Sequence, residues 1–232
     1  MHFEHTPAVW AAFPTLAPGI VLVEGIQPDV VVSDRLVALF ARARARLAGV
    51  SESDLPEVQA WRRAFSQMGL KPTQYRSAAE ALLRRFRKED SLPMLHPLVD
   101  LCNAVSLAYA LPVAVIDLDQ VDGFIQVRHA DGSELYQAFS GEVEHPESGE
   151  VIFADAARQV HARRWTFRQS RRSTVSDTTR RALIVSEGLH ATAQADVAAL
   201  LDTLEAELHA VGFRPAQRAI LTAQAPRWGA GG

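Results

Sequence analysis

Leu92-Pro-Met-Leu-His-Pro-Leu-Val-Asp-Leu-Cys-Asn-Ala-Val-Ser-Leu-Ala-Tyr-Ala-Leu-Pro-Val-Ala-Val-Ile-Asp117 reads as a buried helix running into a buried strand. Pro93 and Pro97 suit the approach to the helix and its first turn. Leu98, Leu101, Val105 and Tyr109 recur at three- and four-residue spacing and give an apolar face. Pro112 stops the helix, and Val113, Val115 and Ile116 begin an extended run. Asp100 and Asn103 are the polar exceptions. Three residues apart, they share a side of the helix. A polar group in an apolar setting needs a hydrogen-bond partner, so each has a structural partner or a ligand. Asp100 is expected to tie the helix to the strand, and Asp117 to cap the turn that follows.

Phe124 to Arg128 alternates as a strand. Ala130-Asp131-Gly132-Ser133 is a turn signal, and Leu135 to Phe139 is expected to return as the second strand of a hairpin. Gly141 to Gly149 is a polar loop, and the acidic residues around it lack metal-ligand spacing. Val151 to Phe153 and Ala182 to Ser186 read as further strands. Before Leu92, Ile20 to Val23 is a short buried strand, and Asp29 to Val32 extends it or turns. One helix covers Leu36 to Leu47, capped by Ser33 or Asp34. A second runs from Ser53 or Asp54 to Gly69. Ser77 and Glu80 have capping-box spacing ahead of a third. After the core, Val197, Leu200, Leu201, Leu204 and Leu208 mark an amphipathic helix. Arg218 to Thr222 is expected as a last strand, and Ala225 to Gly232 as a loose tail. No Gly/Ser-rich linker interrupts the 232 residues. One unit is expected, with a front part (1–64), a core (65–190) and a closing part (191–232).

Composition narrows the functional classes. The hydrophobic content of 48% suffices for a full core, and the net charge of -3 gives no global attraction to nucleic acid. The single cysteine, Cys102, excludes an internal disulfide and fits a reducing cytoplasm. In a buried helix it reads as a small hydrophobe rather than a nucleophile. No apolar run approaches membrane-spanning length, and the first residues lack a signal-peptide pattern. The histidines are scattered, and neither a phosphate loop nor a serine elbow occurs. Neither metal nor cofactor is therefore expected.

The segment Arg158 to Arg181 differs from the rest. It holds Arg158, Arg163, Arg164, Arg168, Arg171, Arg172, Arg180 and Arg181 against one acidic residue, Asp177. Trp165 and Phe167 interleave with them. Arginine with aromatic rings suits single-stranded RNA, by backbone contact and base stacking. The plain alternative is a solvated surface with an anchoring tryptophan. Arg128, at a strand end, suits a phosphate or carboxylate, or equally an internal salt bridge.

The ordered set Val99-Asp100-Leu101-Cys102-Asn103, Leu111-Pro112, Asp117, Gly123 to Arg128, Gly132 to Leu135, Val151 to Asp155, Ser173 to Val175 and Thr179 resembles the tRNA-editing domain of the phenylalanyl-tRNA synthetase beta subunit and its free-standing relatives. The resemblance covers roughly Phe65 to Glu187. It implies an α+β fold, with a mixed or antiparallel sheet flanked by helices. It also implies hydrolysis of a mischarged aminoacyl-tRNA without metal or covalent intermediate. Asn103 matches a pocket asparagine of the family. Cys102 stands in place of a threonine, and Ala114 in place of a histidine that helps position the substrate end. The family's Gly-rich pocket segment corresponds to Thr166 to Ser170, where no glycine remains, which implies a smaller or more polar pocket. A family glutamate that reads a tyrosine hydroxyl falls near Val185, two residues before Glu187, which argues against tyrosine editing. Trp165, Arg168 and Ser170 match a Trp-x-x-Arg-x-Ser pattern of the free-standing relatives. On this footing the expected catalytic residues are Asn103, Arg168 and Glu187. Arg128, Ser170, Thr174, Cys102 and Ala114 are expected at the substrate, and Arg158, Arg163, Arg164, Arg171 and Arg172 at the tRNA. The competing reading is a non-catalytic module that binds tRNA or an amino acid in the same pocket.

Overall fold

The helix and the strand expected between Leu92 and Asp117 both form in the computed structural model, which describes residues 1–229. Pro97 sits in the first turn of the helix, and His96 Nδ1 caps it by accepting from the Leu98 amide. Ala110, in the left-handed region at φ 57°, ends the helix two residues before Pro112. Ser106 donates to the Leu111 carbonyl across that bend.

In chain order the elements are β1 (His2–His5), α1 (Pro7–Ala12), β2 (Ala17–Glu24), α2 (Ser33–Leu47), α3 (Pro56–Gln67), α4 (Ala78–Glu89), α5 (Pro97–Tyr109), β3 (Val113–Asp117), β4 (Phe124–His129), β5 (Leu135–Gln137), β6 (Val143–Glu144), β7 (Val151–Ala154), β8 (Gln159–Arg163), β9 (Arg168–Gln169), β10 (Arg181–Gly188), α6 (Ala193–Ala210), β11 (Arg214–Ile220) and β12 (Arg227–Gly229). They build two sheets. One is antiparallel, in the order β11-β2-β10-β3. The other is mixed, in the order β12-β1-β4-β7-β8-β5-β6, with β9 beside β8. This is the α+β arrangement of mixed and antiparallel sheet with flanking helices that the sequence predicts.

Two-residue periodicity explains the layers. On β2, Val21 and Val23 face the helices α2, α5 and α6, whereas Ile20 and Leu22 face the mixed sheet. On β10, Ala182 and Ile184 divide from Leu183 and Val185 in the same way. Both strands are buried on both faces, and for that reason both read as unbroken apolar runs. Gly19 allows α6 to approach: a β-carbon there would lie 2.5 Å from Val197 Cγ1 and 2.9 Å from Leu201 Cδ1. Gly19→Ala should therefore cost about 1–3 kcal/mol by overpacking, measured as a lower denaturation midpoint.

Several expectations need correction. The strand after the Ala130–Ser133 turn does not return on β4. β4 instead lies between β1, parallel, and β7, antiparallel. Glu134 is the reason. It is fully buried, accepts from the Asp131 and Gly132 amides and pairs with Arg128, which holds the turn open. β5 is also shorter than expected and pairs with β8 and β6, the latter inside the supposed polar loop. Helix α2 starts at Ser33 without a side-chain cap. Helix α3 starts at Pro56, because Ser51 caps a separate 3-10 turn over Glu52–Asp54. Ser77 caps α4 by accepting from the Glu80 amide, but the Glu80 carboxylate turns to Arg62 instead of closing the box. Asp100 accepts from the Leu95 amide, so it ties the helix to the preceding segment rather than to the strand. Asp117 does cap the turn after β3, and also accepts from Thr179 Oγ1. The strand expected at Arg218 begins earlier, at Arg214, and is not the last. Part of the expected loose tail, Arg227–Gly229, is strand β12 on β1; residues 230–232 of that tail lie outside the described residues. β1 and α1 carry no signal that sequence reading detected.

Candidate functional site

β3 is an edge strand of the antiparallel sheet. Its two faces open onto two cavities. One is a pocket of about 60 Å³ at the open end of the space between the sheets. Ala114 and Val185, cross-strand partners, form its floor, with Trp165, Thr166, Phe167 and Glu187 around them. The other is a cleft of about 450 Å³ between α5 and the segment 174–177, lined by Asn103, His96, Thr174 and Phe139. Val113 and Gln169 line both. Gln169 Nε2 donates to the Val115 carbonyl at 2.6 Å, which fixes β9 along the β3 edge.

Glu187 follows Leu183 and Val185 on the face of β10 that points between the sheets. It is buried, and two donors hold its carboxylate: His5 Nε2 at 2.5 Å and Trp165 Nε1 at 2.9 Å. His5 comes from β1, 182 positions away. Thus β1 supports a carboxylate that lines the pocket, without lining the pocket itself. Sequence reasoning missed His5, since a single histidine in a short strand has no pattern. It also missed Thr166, whose Oγ1 is buried without a hydrogen-bond partner. His96 was missed as well. Burial pushes its pKa down, while Asp177 opposes this. Because Nδ1 accepts from Leu98, the neutral ring carries its proton on Nε2, which is buried and unpartnered.

Of the expected site residues, the structure places Ala114, Arg168 and Glu187 at the pocket and Asn103 and Thr174 at the cleft. The others lie elsewhere. Cys102 instead faces the helix-side core at 1% exposure and lines neither cavity, and burial pushes its thiol pKa up, away from the thiolate a nucleophile needs. Arg128 takes the internal salt bridge to Glu134. Ser170 is buried, donates to the Gln137 carbonyl and caps the 3-10 turn after it.

The arginine segment divides in the same way. Arg163 is buried between Glu144 and Glu150, so the acidic loop residues serve as its partners. Arg158 pairs with Asp131. Arg164 is half-buried over the Tyr75 ring, 4.6 Å from its centroid. Trp165 is fully buried against Trp61 and Phe13 and cannot stack on a base. Arg171 and Arg172 are exposed, and neither pairs with a carboxylate among the described residues. Arg171 reaches toward Gly141, beside exposed Phe139 on the rim of the cleft. Folding also brings Glu57, His190 and Asp196 within 4.8 Å of one another, a grouping invisible in linear spacing. Arg46 already supplies the positive charge there by pairing with Glu57, and His190 is bonded to Asp196.

Pocket and cleft thus meet at Val113 and Gln169 on the β3 edge. The chain belongs to the B3/4 domain family, whose model matches residues 60–215. The family resemblance read from residues 65–187 is thereby borne out, and the match extends past both ends of it. Among solved structures the chain is similar to an N-terminal fragment of the phenylalanyl-tRNA synthetase beta-subunit from Pyrococcus horikoshii, at 11% identity and a TM-score of 0.49. The similarity covers 91% of this chain and 49% of that one, so the chain spans about half the length of that fragment. No curated protein matches. No helix among the described residues is long and apolar enough to cross a membrane.

Proposed function

We propose that the protein is an aminoacyl-tRNA deacylase that acts in trans on mischarged tRNA in the cytoplasm. The observation that carries this reading is the junction of pocket and cleft at Val113 and Gln169 on the β3 edge. A side chain in the pocket would place its ester at that edge, with the terminal nucleoside in the cleft. The ester is already activated, so hydrolysis needs an oriented water and donors for the developing oxyanion. Asn103 supplies an amide donor on the cleft side. Membership of the B3/4 family supports the same chemistry.

The test is release of amino acids from a panel of correctly and incorrectly charged tRNAs, with Asn103→Ala and Arg168→Ala beside the wild type. Selective release of a mischarged amino acid is expected, reduced about 100-fold or more in Asn103→Ala, the scale set by loss of one oxyanion donor. Release unchanged in both variants would refute the assignment. One feature favours the second reading, a non-catalytic binding module: Ala114 stands where the editing domain has a positioning histidine. Salt-sensitive tRNA binding without release would select it.

Of the arginines expected at the tRNA, Arg171 and Arg172 are the two that are exposed and without a carboxylate partner among the described residues. Arg171→Ala/Arg172→Ala should weaken tRNA binding and reduce the slope of log K against log salt by about 0.7 per lost contact. Arg158→Ala should leave that slope unchanged, since its charge is spent on Asp131. Binding measured across a salt series separates the two.

A further inference from the structure

We propose that the pocket selects a small hydroxylated side chain, of the serine or threonine class, with Glu187 and Thr166 as the two groups that read the hydroxyl. This rests on the deacylase reading of the same site. Size limits the choice first. A volume of about 60 Å³ corresponds to roughly four water-sized groups, at about 10–15 Å³ for each. A phenyl ring or a long chain does not fit, whereas the two or three heavy atoms of serine or threonine do.

Polarity then separates threonine from its isostere valine. The walls are apolar: Ala78, Pro112, Ala114, Phe153, Ala162 and Val185. Glu187, Thr166, Arg168 and Gln169 interrupt them; Arg168 is exposed and Gln169 Nε2 already donates to the Val115 carbonyl, which leaves Glu187 and Thr166 for the hydroxyl. Glu187 offers acceptor capacity in a fixed position, because His5 and Trp165 each occupy only one site of a carboxylate that has about four. Its orientation is built before any ligand arrives. Thr166 Oγ1 is buried and unpartnered, and its backbone is fixed where its carbonyl accepts from the Ala78 amide at 2.7 Å. An unsatisfied buried hydroxyl is costly without a ligand. A substrate hydroxyl resolves both requirements, since it donates to the Glu187 carboxylate and accepts from Thr166 Oγ1–H. A valyl group fills the same space but leaves Thr166 unpaired. Sites that hydrogen-bond a substrate hydroxyl reject the analogue lacking it far more strongly than apolar pockets discriminate by size.

The experiment compares release from tRNA acylated with serine, threonine, alanine, valine, leucine or phenylalanine. Seryl and threonyl esters should be hydrolysed at least about 100-fold faster than alanyl and valyl ones. Leucyl and phenylalanyl esters should persist. Because Glu187 also holds His5 and Trp165, the decisive variant is Thr166→Val, in which the threonine-to-valine ratio should fall about 10-fold or more while the Glu187 contact remains. Valyl or larger esters hydrolysed as fast as threonyl ones by the wild type would overturn the proposal and leave the deacylase reading intact. If no ester is hydrolysed, the deacylase reading fails instead. The pocket is then tested by calorimetry with 3′-seryl, 3′-threonyl and 3′-valyl amides of 3′-amino-3′-deoxyadenosine. Preference for the hydroxylated amides, lost in Thr166→Val, supports the assignment, and equal binding overturns it.

Discussion

Trp165→Ala should destabilise the protein by about 3–5 kcal/mol, the range for a large aromatic removed from a packed core. The ring is fully buried, edge-on to Trp61 at 4.9 Å and to Phe13 at 4.8 Å. The backbone supports the same estimate. Arg164 and Trp165 both have positive φ, 45° and 58°, which is unfavourable for residues with a β-carbon. Strain of this kind persists only where the surroundings over-determine it, and here the buried indole does so. Trp165→Phe is the informative companion. It keeps most of the packing but removes the Nε1 donor to Glu187, at a cost of about 1–3 kcal/mol. Urea denaturation measures both. A loss below about 1 kcal/mol in Trp165→Ala would contradict the core placement and revive a role for the ring at the nucleic acid.

Arg163→Ala should have an effect of similar size, about 3–5 kcal/mol, because it leaves a buried carboxylate uncompensated. The Arg163 and Glu150 side chains are each 5% exposed and joined by two hydrogen bonds, with Glu144 on a third. Burial pushes the Glu150 pKa up, but Arg163 and the Arg164 amide outweigh it, so the net direction is down. A depressed carboxyl contributes stability above its unfolded pKa, near 4.3, and loses it as pH falls through the folded value. The wild type should therefore lose this contribution only in acid. The variant should be destabilised at neutral pH and gain relative stability as Glu150 protonates. Melting temperature against pH checks the sign. A variant as stable as the wild type but weaker on tRNA would return Arg163 to the interface.

These two residues show where sequence reading stops. Both belong to a segment whose composition suits RNA, and composition is blind to what faces what. Arg163 alternates inward on β8, and its acidic partners lie in a loop 13 and 19 positions away. Arg171 and Arg172, two turns further on, look the same in sequence and end exposed. By contrast, the helix–strand unit from Pro97 to Asp117 and the strand at Ala182 to Ser186 were legible, because burial on every side writes itself as an apolar run. β4 was legible as a strand, but its neighbours were not. Its partner β1 lies more than 120 positions away, and a buried glutamate cancels the hairpin that the turn suggests. The site divides in the same way. Asn103, Ala114 and Glu187 were singled out by the family resemblance, whereas the His5–Glu187 pair joins positions 182 apart and leaves no trace in the linear sequence.

In the proposed function, pocket and cleft take the two halves of one aminoacyl-nucleoside. A structure of the protein with 3′-threonylamino-3′-deoxyadenosine tests it most directly. The amino-acid side chain is expected between Ala114 and Val185, the amide at the Val113–Gln169 edge and the adenine in the cleft by Asn103. A nucleoside bound away from this cleft, or an empty pocket beneath an occupied cleft, would contradict it.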